Sequence, residues 1–280
     1  MSVKIVTDST ADLPQEVIDK YNIAVVPLTV HFGDTTYLDG VDIHATEFYS
    51  LLAGSARLPT TSQPSIGAMA ELYSNLTENN SDIVSIHISG KLSGTLNSAM
   101  QAIKLPEVKT RIEIIDSYQT SMGLGLVVLA AARVASENAT LAQVLRTTAE
   151  AISNTHTFVL VDTLEYLEKG GRIGKAQAYL GSLLKVKPIL TMKDGEVHPL
   201  ERARSRQNGM DRLYERIRSL GKVDDLGVIH STTPDQAKAF AQQLSPLYTG
   251  EIVIGRFGPV IGTYLGPGAL GVAVRTKESL

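Results

Sequence analysis

Short apolar runs alternate with helix-like segments through the first half of this chain of 280 residues. The runs at residues 3–7, 83–88 and 111–116 have the length and apolar character of buried strands, and a helical pattern follows each. Strands separated by helices favour right-handed crossover units around a mostly parallel sheet. The first half therefore predicts an α/β fold.

The second half of the chain has a different pattern. Residues 188–192 and 196–203 predict two strands joined through Asp194-Gly195, a dipeptide typical of tight hairpins. We therefore expect an N-terminal α/β domain over residues 1–155 and an α+β domain with antiparallel pairing over residues 156–280. No composition break or repeat separates the two, so we expect them to pack together with a ligand buried between them.

Two further segments have expected local structures. Residues 23–32 predict one strand, which turns at Gly33-Asp34 into a second strand over residues 35–38. Residues 58–65 predict a polar loop with three hydroxyl residues and a glutamine between its two prolines. This loop either simply ends in a helix N-cap at Ser65 or presents its donors to a polar ligand group.

The stretch of residues 81–99 combines a strand, a small polar turn and a helix start. The turn lies around Gly90, and the helix is expected to begin near Ser93, Gly94 and Thr95. Backbone N–H groups and hydroxyls converge at such a point, which suits an anion. The same residues also serve as ordinary caps and turn formers, and the stretch alone leaves both interpretations open.

Bulk composition excludes several classes of partner. The chain has 26 basic and 29 acidic residues, and no basic stripe with interleaved aromatics indicates nucleic-acid binding. It has no cysteine, which removes disulfides and thiolate chemistry. No signal-peptide pattern is present at the N-terminus, and the longest apolar tract, residues 122–134, is too short to span a bilayer. We therefore expect a cytoplasmic monomer without stable membrane insertion.

The serine in the central stretch invites comparison with hydrolases. A nucleophile elbow has the spacing G-x-S-x-G, whereas one extra residue precedes Ser93 in the segment that begins at Gly90. Ser93 would then lie at a helix start with no evident base, because His87 in an apolar strand is more simply structural. A serine-dependent esterase or acyltransferase using Ser93 remains the alternative from a different functional class.

Nucleotide and metal motifs are incomplete. Residues 170–175 approach a phosphate-binding loop, but Ala176 stands where its metal-binding hydroxyl belongs. Gly123 and Gly125 open a helix after a strand, yet Val128 replaces the third glycine of a dinucleotide site, so close helix packing is the simpler interpretation. The six histidines lack metal-binding spacings, and we expect neither a metal nor a cofactor.

Positive charge is concentrated between residues 169 and 206. The basic side chains either lie on solvated faces of helices or form a binding site for an acidic partner or a phosphate. They are Lys169, Arg172, Lys175, Lys185, Lys187, Arg202, Arg204 and Arg206.

Several segments, taken in order, resemble the DegV family over residues 3–278. They are KIVTDSTADLP, TTSQPS, SGKLSGTLNSA, LEYLEKGGRIG and VIGTYLGPGALGVA. The resemblance implies two α/β-type domains and a buried long-chain fatty acid such as palmitate. It also implies a non-catalytic lipid carrier, which in some members presents the fatty acid to a separate ATP-binding kinase subunit for phosphorylation.

The resemblance also implies roles for individual residues. Thr61, before Ser-Gln-Pro, and Ser93, before Gly94, match hydroxyls that hold the fatty acid carboxylate. Arg172 matches a residue associated with the kinase subunit and phosphoryl transfer, and Arg202 or Arg204 is a weaker match for that role.

One position departs from the family pattern. Tyr264 stands where many members have histidine in the terminal glycine-rich segment. A phenol donates a hydrogen bond to a carboxylate but, unlike an imidazole, does not become a cation near neutral pH. We expect carboxylate binding to be retained with tyrosine at this position. The sequence does not decide how the change affects acyl preference or phosphoryl transfer. A binding module for another small anion is the third hypothesis.

Overall fold

The computed structural model describes residues 3–76, 81–180 and 186–277. Lys185 of the basic segment lies outside these residues. Among the described helices, none has the combination of length and apolar character that would let it cross a bilayer.

The described chain contains helices and strands in alternation. The strands are β1 Val3–Asp8, β2 Ala24–Val26, β3 Thr29–Phe32, β4 Thr35–Leu38, β5 Thr60–Ser62, β6 Asp82–His87, β7 Ile112–Asp116, β8 Thr155–Leu160, β9 Lys187–Lys193, β10 Glu196–Ala203, β11 Val223–His230, β12 Val253–Arg256 and β13 Leu270–Thr276. The α-helices are α1 Gln15–Tyr21, α2 Ala45–Gly54, α3 Ile66–Asn75, α4 Thr95–Ala102, α5 Ser121–Ser136, α6 Leu141–Asn154, α7 Glu165–Gly170, α8 Arg206–Ser219, α9 Pro234–Leu244 and α10 Pro259–Leu265.

The N-terminal sheet confirms the predicted parallel arrangement. Its order is β2-β1-β6-β7, and every neighbouring pair is parallel. Residues of α3 and α4, such as Met69 and Ala99, pack on one face with Ile83. The opposite face packs on α5, so the sheet is covered on both sides, as parallel sheets usually are.

The second sheet has the order β10-β9-β8-β13-β11-β12. Its pairs are antiparallel except for β11 with β12, which are parallel and so depart from the expectation for this half. The predicted hairpin is confirmed between β9 and β10. Asp194 and Gly195 have φ of 51° and 77°, as a tight turn with positive φ at both central residues requires.

Two local expectations were wrong. Residues 23–32 form two strands rather than one, since Pro27, which has no N–H to donate to a ladder, separates β2 from β3. β2 pairs with β1, whereas β3 belongs to a three-stranded sheet with β4 and β5. The polar segment 58–65 contains β5, which pairs antiparallel with β3 and places Thr61 opposite Val30. Ser65 does cap α3, as its Oγ accepts from the Ala68 N–H.

The proposed boundary between the two halves falls at residue 155, where α6 ends and β8 begins. It stays a prediction as a division into domains. The two halves share one core cluster, which contains Ile86 of β6, residues of α5, and Ile229 and Ala273 of the second sheet.

Helix α5 lies between the two sheets. Every residue from Ser121 to Ala132 is buried, which agrees with a helix that is apolar on all sides. Gly125 faces the N-terminal half, where a β-carbon would lie 2.7 Å from the Ala11 carbonyl oxygen. Gly123 faces β8, where a β-carbon would overlap the Thr157 hydroxyl. These glycines therefore serve close packing, as the sequence favoured over a dinucleotide site.

We predict that Gly125→Ala lowers the free energy of unfolding by about 1–3 kcal/mol, the usual cost of overpacking a core. The Ala11 carbonyl is backbone and cannot move aside as a flexible side chain would. Urea denaturation followed by circular dichroism measures the change.

Gly67→Ala in α3 is the matched control, because a β-carbon there meets nothing closer than the Ser65 Oγ at 3.9 Å. It should leave stability unchanged or raise it by up to about 1 kcal/mol. Equal effects of the two substitutions would contradict the packing role of Gly125.

Candidate ligand-binding site

An apolar cavity of about 320 Å³ lies where the two halves meet. This volume is at the lower end of the range for small-molecule sites, roughly 300–1,000 Å³. Its walls come from α5, from strands of the second sheet and from α10. The apolar lining includes Ile88, Leu92, Met122, Val159, Leu190, Val197, Ile229, Phe257, Val260, Ile261 and Leu265.

A set of polar residues lines the same cavity, and direct contacts join several of its members. We call it the polar cluster, and it consists of Thr61, Gln63, Ser93, Gly94, Arg172 and Tyr264. Its members come from four separate stretches of the chain. The cavity thus combines a long apolar wall with a few convergent hydrogen-bonding groups, which is the usual composition of a ligand pocket.

Tyr264 is held from three directions. Its hydroxyl is 2.5 Å from the Thr61 Oγ1, so these two groups share a hydrogen bond. Its ring lies against Gly170, where a β-carbon would be 2.5 Å from the ring. The Arg172 guanidinium lies 5.0 Å from the ring centroid, within the range of a cation–π contact. Tyr264 therefore presents its hydroxyl at a defined position next to Thr61.

The turn before α4 supplies the other hydroxyl. The Ser93 Oγ is 2.8 Å from the Thr95 Oγ1 and accepts a longer bond from the Thr95 N–H at 3.3 Å. The turn itself is fixed from the second half, because the Ser89 Oγ donates to the Gly195 carbonyl at 2.8 Å. Ser93 therefore has the local role of accepting from backbone, and because it also lines the cavity, the anion-binding interpretation stays a prediction.

Gln63 joins the β5 segment to this turn. Its Nε2 donates to the Ser98 Oγ at 2.8 Å, and its carboxamide lies directly over Gly94, where a β-carbon would overlap it. The two segments that carry Thr61 and Ser93 are therefore packed against each other. This contact has no counterpart in local sequence patterns, since it joins positions 31 residues apart in the chain.

The two arginines of interest lie in different surroundings. Arg172 is exposed, lines the cavity and donates to the Gly170 carbonyl at 2.9 Å. Arg202 is also exposed, but its guanidinium lies 4.2 Å from the Tyr179 ring centroid and it does not line the cavity. The structure thus brings Arg172 into the polar cluster and leaves Arg202 outside it.

Ion pairs engage several of the other basic residues. Lys169 pairs with Glu165 at 2.5 Å. Lys187 pairs with Asp162 at 2.9 Å, and Arg206 lies 3.4 Å from the same carboxylate. These pairs show that much of the basic segment is matched by neighbouring acidic groups rather than gathered into one patch.

His87 does not act on Ser93. Its Nδ1 is 3.0 Å from the Asp8 carboxylate and its Nε2 is 2.7 Å from the Ser85 Oγ, and all three side chains are fully buried. Because both ring nitrogens are engaged, His87 has the structural role that its apolar strand suggests. This arrangement argues against the hydrolase hypothesis.

The apolar lining from the second sheet was not identified from the sequence. Residues such as Val159, Leu190 and Gly271 line the cavity, but nothing in their local pattern separates them from ordinary core positions. Within the described residues, no group of three or more His, Asp or Glu side chains is arranged to hold a metal ion.

The family model described as "Uncharacterised protein, DegV family" matches residues 2–277. The chain belongs to the DegV family. It is 38% identical to a DegV domain-containing protein of Streptomyces coelicolor, over 98% of this chain and 99% of that protein.

Solved DegV structures superpose on the whole fold. A DegV family protein of Thermus thermophilus, described by its fatty acid binding, has a TM-score of 0.92 and 35% identity, covering 99% of this chain and 100% of that one. DegV of Bacillus subtilis, described as a fatty acid binding protein, has a TM-score of 0.90 at 35% identity with the same coverage. The predicted α/β architecture is confirmed by these matches.

We predict that Gly94→Ala forces the Gln63 side chain off the turn and breaks its bond to Ser98. The expected loss is about 1 kcal/mol of unfolding free energy, the net value of one hydrogen bond. In a Gln63→Ala background the same glycine substitution should cost much less, because the overlapping carboxamide is already gone. A double-mutant cycle by urea denaturation measures this coupling, and additive effects would contradict the packing of the two segments.

Proposed function

We propose that this DegV protein binds a long-chain fatty acid in the cavity, with the carboxylate held at the polar cluster by Thr61 and Ser93. The observation that carries the proposal is the composition of the cavity, whose lining combines many apolar side chains with the hydroxyls of Thr61, Ser93 and Tyr264, the first and last of which bond each other. The description of related structures as fatty acid binding proteins supports it.

The acyl chain and the carboxylate of the ligand contribute unequally to the free energy of binding. Each buried methylene contributes about 0.8 kcal/mol, so ~14 methylenes contribute roughly 11 kcal/mol before the costs of binding. A hydrogen bond to a charged group contributes only about 1.5–3 kcal/mol. The acyl chain therefore sets affinity, while the hydroxyls set the register of the ligand and select a carboxylate.

The hydroxyls proposed to bind the carboxylate also form hydrogen bonds with neighbouring side chains. The Tyr264 hydroxyl and the Thr61 hydroxyl bond each other, and the Ser93 hydroxyl bonds Thr95. A carboxylate oxygen next to Thr61 accepts from both members of the first pair, while the backbone N–H groups at Gly94 add to the polar surroundings. Arg172 contributes positive charge through its position over the Tyr264 ring.

We further propose that the protein carries this lipid and presents it to a separate ATP-dependent kinase subunit. The exposed position of Arg172 beside the cluster supports a role at such a contact. Arg202 would contribute to a partner surface rather than to the ligand, a role supported by its position over the Tyr179 ring and outside the cavity. The protein itself supplies no nucleophile in this scheme.

We predict that Thr61→Ala combined with Ser93→Ala lowers the amount of fatty acid that co-purifies with the protein. Mass spectrometry of the organic extract, normalised to protein, measures the loss. The loss of two hydroxyl donors to a carboxylate should weaken binding by at least about tenfold.

The matched control is Thr60→Ala combined with Ser136→Ala, which removes one threonine and one serine hydroxyl at exposed positions that do not line the cavity. Its lipid content should equal that of the parent protein. Unchanged lipid in the Thr61 and Ser93 variant would rule out the assignment of these donors, and an extract from the parent without fatty acid would favour another anion.

We predict that Tyr264→His makes fatty acid affinity dependent on pH. An imidazole titrates near pH 6.5, so binding should be tighter at about pH 6, where an imidazolium faces the carboxylate, than at about pH 8. The parent protein should bind equally at both, since its phenol carries no positive charge.

Tyr264→Phe is the control for this substitution. It keeps the ring under Arg172 but removes the hydroxyl that bonds Thr61. Its affinity should be lower than that of the parent at both pH values, with no pH dependence. A competition assay with a fluorescent fatty acid gives the affinities, and a flat profile for the histidine variant would place the carboxylate away from position 264.

A further inference from the structure

A second crevice of about 670 Å³ lies beside the fatty acid cavity and shares no lining residue with it. It is located where strands of both sheets end, since Asp8 is the last residue of β1 and Arg256 is the last of β12. Ligands of α/β proteins bind at the carboxyl ends of parallel strands. Nothing in the fatty acid proposal uses this crevice.

Two carboxyl groups lie at its base with unused acceptor capacity. Asp12 accepts from the Ser121 hydroxyl at 2.5 Å and from the Gly258 N–H at 2.9 Å. Asp39 accepts from the Ser9 hydroxyl at 2.8 Å and from the Val260 backbone. A carboxylate offers about four lone-pair sites, so each of the two can accept further donors.

Gly258 keeps the space between these carboxyls open. A β-carbon there would lie 2.9 Å from the Asp12 Oδ1 and 3.3 Å from the Asp39 Oδ1. Its φ of −66° is accessible to any residue, so backbone conformation does not require glycine. The missing side chain therefore leaves room next to both oxygens.

Two buried polar atoms at the crevice have no hydrogen-bond partner among the described residues. They are the Thr7 Oγ1 and the His230 Nδ1. Thr7 is 0% exposed and His230 is 8% exposed, and both residues line the crevice. Buried polar groups are nearly always paired, so these two atoms independently indicate a polar occupant.

Two exposed aliphatic side chains lie at the crevice, together with exposed polar residues such as Gln15 and His44. Val41 is 60% exposed and Ile254 is 41% exposed, and both line it. Large aliphatic side chains held open to solvent around a polar base suit a ligand that has a polar end and an apolar body.

The charges around the crevice favour a cationic end. Three carboxyl groups, those of Asp8, Asp12 and Asp39, line the crevice against one guanidinium, that of Arg256. Asp8 accepts from Thr10, His87 and Ile88, and Arg256 keeps its charge while it donates to the Ser231 carbonyl and Thr46. Asp12 and Asp39 receive only neutral donors. Burial raises the pKa of Asp39 to about 7 and also raises the pKa of Asp12, as expected for carboxyls without a counter-charge. The other titratable groups that line the crevice are His44 and His230.

We propose that this crevice binds a small organic molecule with a primary ammonium group, which donates to Asp12 and Asp39 beside Gly258. The apolar part of the ligand contacts Val41 and Ile254. The Thr7 Oγ1 and the His230 Nδ1 form hydrogen bonds with the same ligand.

The test is a titration of the full-length protein with n-butylammonium chloride, followed by amide chemical shifts in NMR at about pH 8, where an alkylammonium stays protonated. The Gly258 amide, which donates to Asp12, should shift. n-Butanol, with the same chain and no charge, should bind at least about tenfold more weakly, a difference of about 1.4 kcal/mol.

Val41→Lys and Val41→Glu form a matched pair at an exposed position where folding is not at risk. The lysine places a competing ammonium at the mouth and should weaken n-butylammonium binding at least about fivefold, whereas the glutamate should not weaken it. Asp39→Asn should weaken it as well.

Three outcomes would overturn the proposal. They are equal affinity for n-butanol, the same shifts produced by sodium or magnesium chloride alone, and equal binding by the two Val41 variants. Fatty acid content is measured on the same samples as a separate readout, because the two sites share no lining residue.

Discussion

The burial of α5 between two sheets is the constraint on which the rest of the structure depends. One side of this helix packs against β1 and β6 and the other against β8, β11 and β13. Gly125 and Gly123 allow that approach, one on each side. The distance between the two sheets is therefore set by the contact of a helix with backbone and short side chains, and the apolar cavity occupies the space next to its N-terminal turn.

The polar residues that line the cavity next to that helix come from distant parts of the chain. Thr61, Ser93, Arg172 and Tyr264 come from β5, the turn before α4, the segment after α7 and α10. The same helix start also contacts the second crevice, because Ser121 lines the apolar cavity while its hydroxyl bonds Asp12 on the other side. Asp12 and Ser121 both have positive φ, at 51° each, and such strained backbone often occurs at functional sites.

Local structure was largely predictable because it depends on local chemistry. The capping box at Thr140 and Gln143 forms as its spacing indicates. The hairpin at Asp194-Gly195 and the start of α9 at Pro234 follow from turn and helix-start preferences. The errors at residues 23–32 and 58–65 arose because strand pairing depends on partners elsewhere in the chain. Pro27 was visible, but the sheet that each flanking strand would join was not.

By itself, the sequence determined the α/β class, the buried nature of α5 and the motifs that mark the DegV family, since these depend on residue type and near-neighbour spacing. The spacing around Ser93 already disfavoured a hydrolase elbow, and the structure added that both ring nitrogens of His87 are engaged by Asp8 and Ser85. Only the tertiary structure placed the Tyr264 hydroxyl on Thr61, Gln63 over Gly94 and Arg202 away from the cavity. Those contacts join residues far apart in the chain, and their geometry follows from the packing of two sheets on one helix rather than from any local pattern.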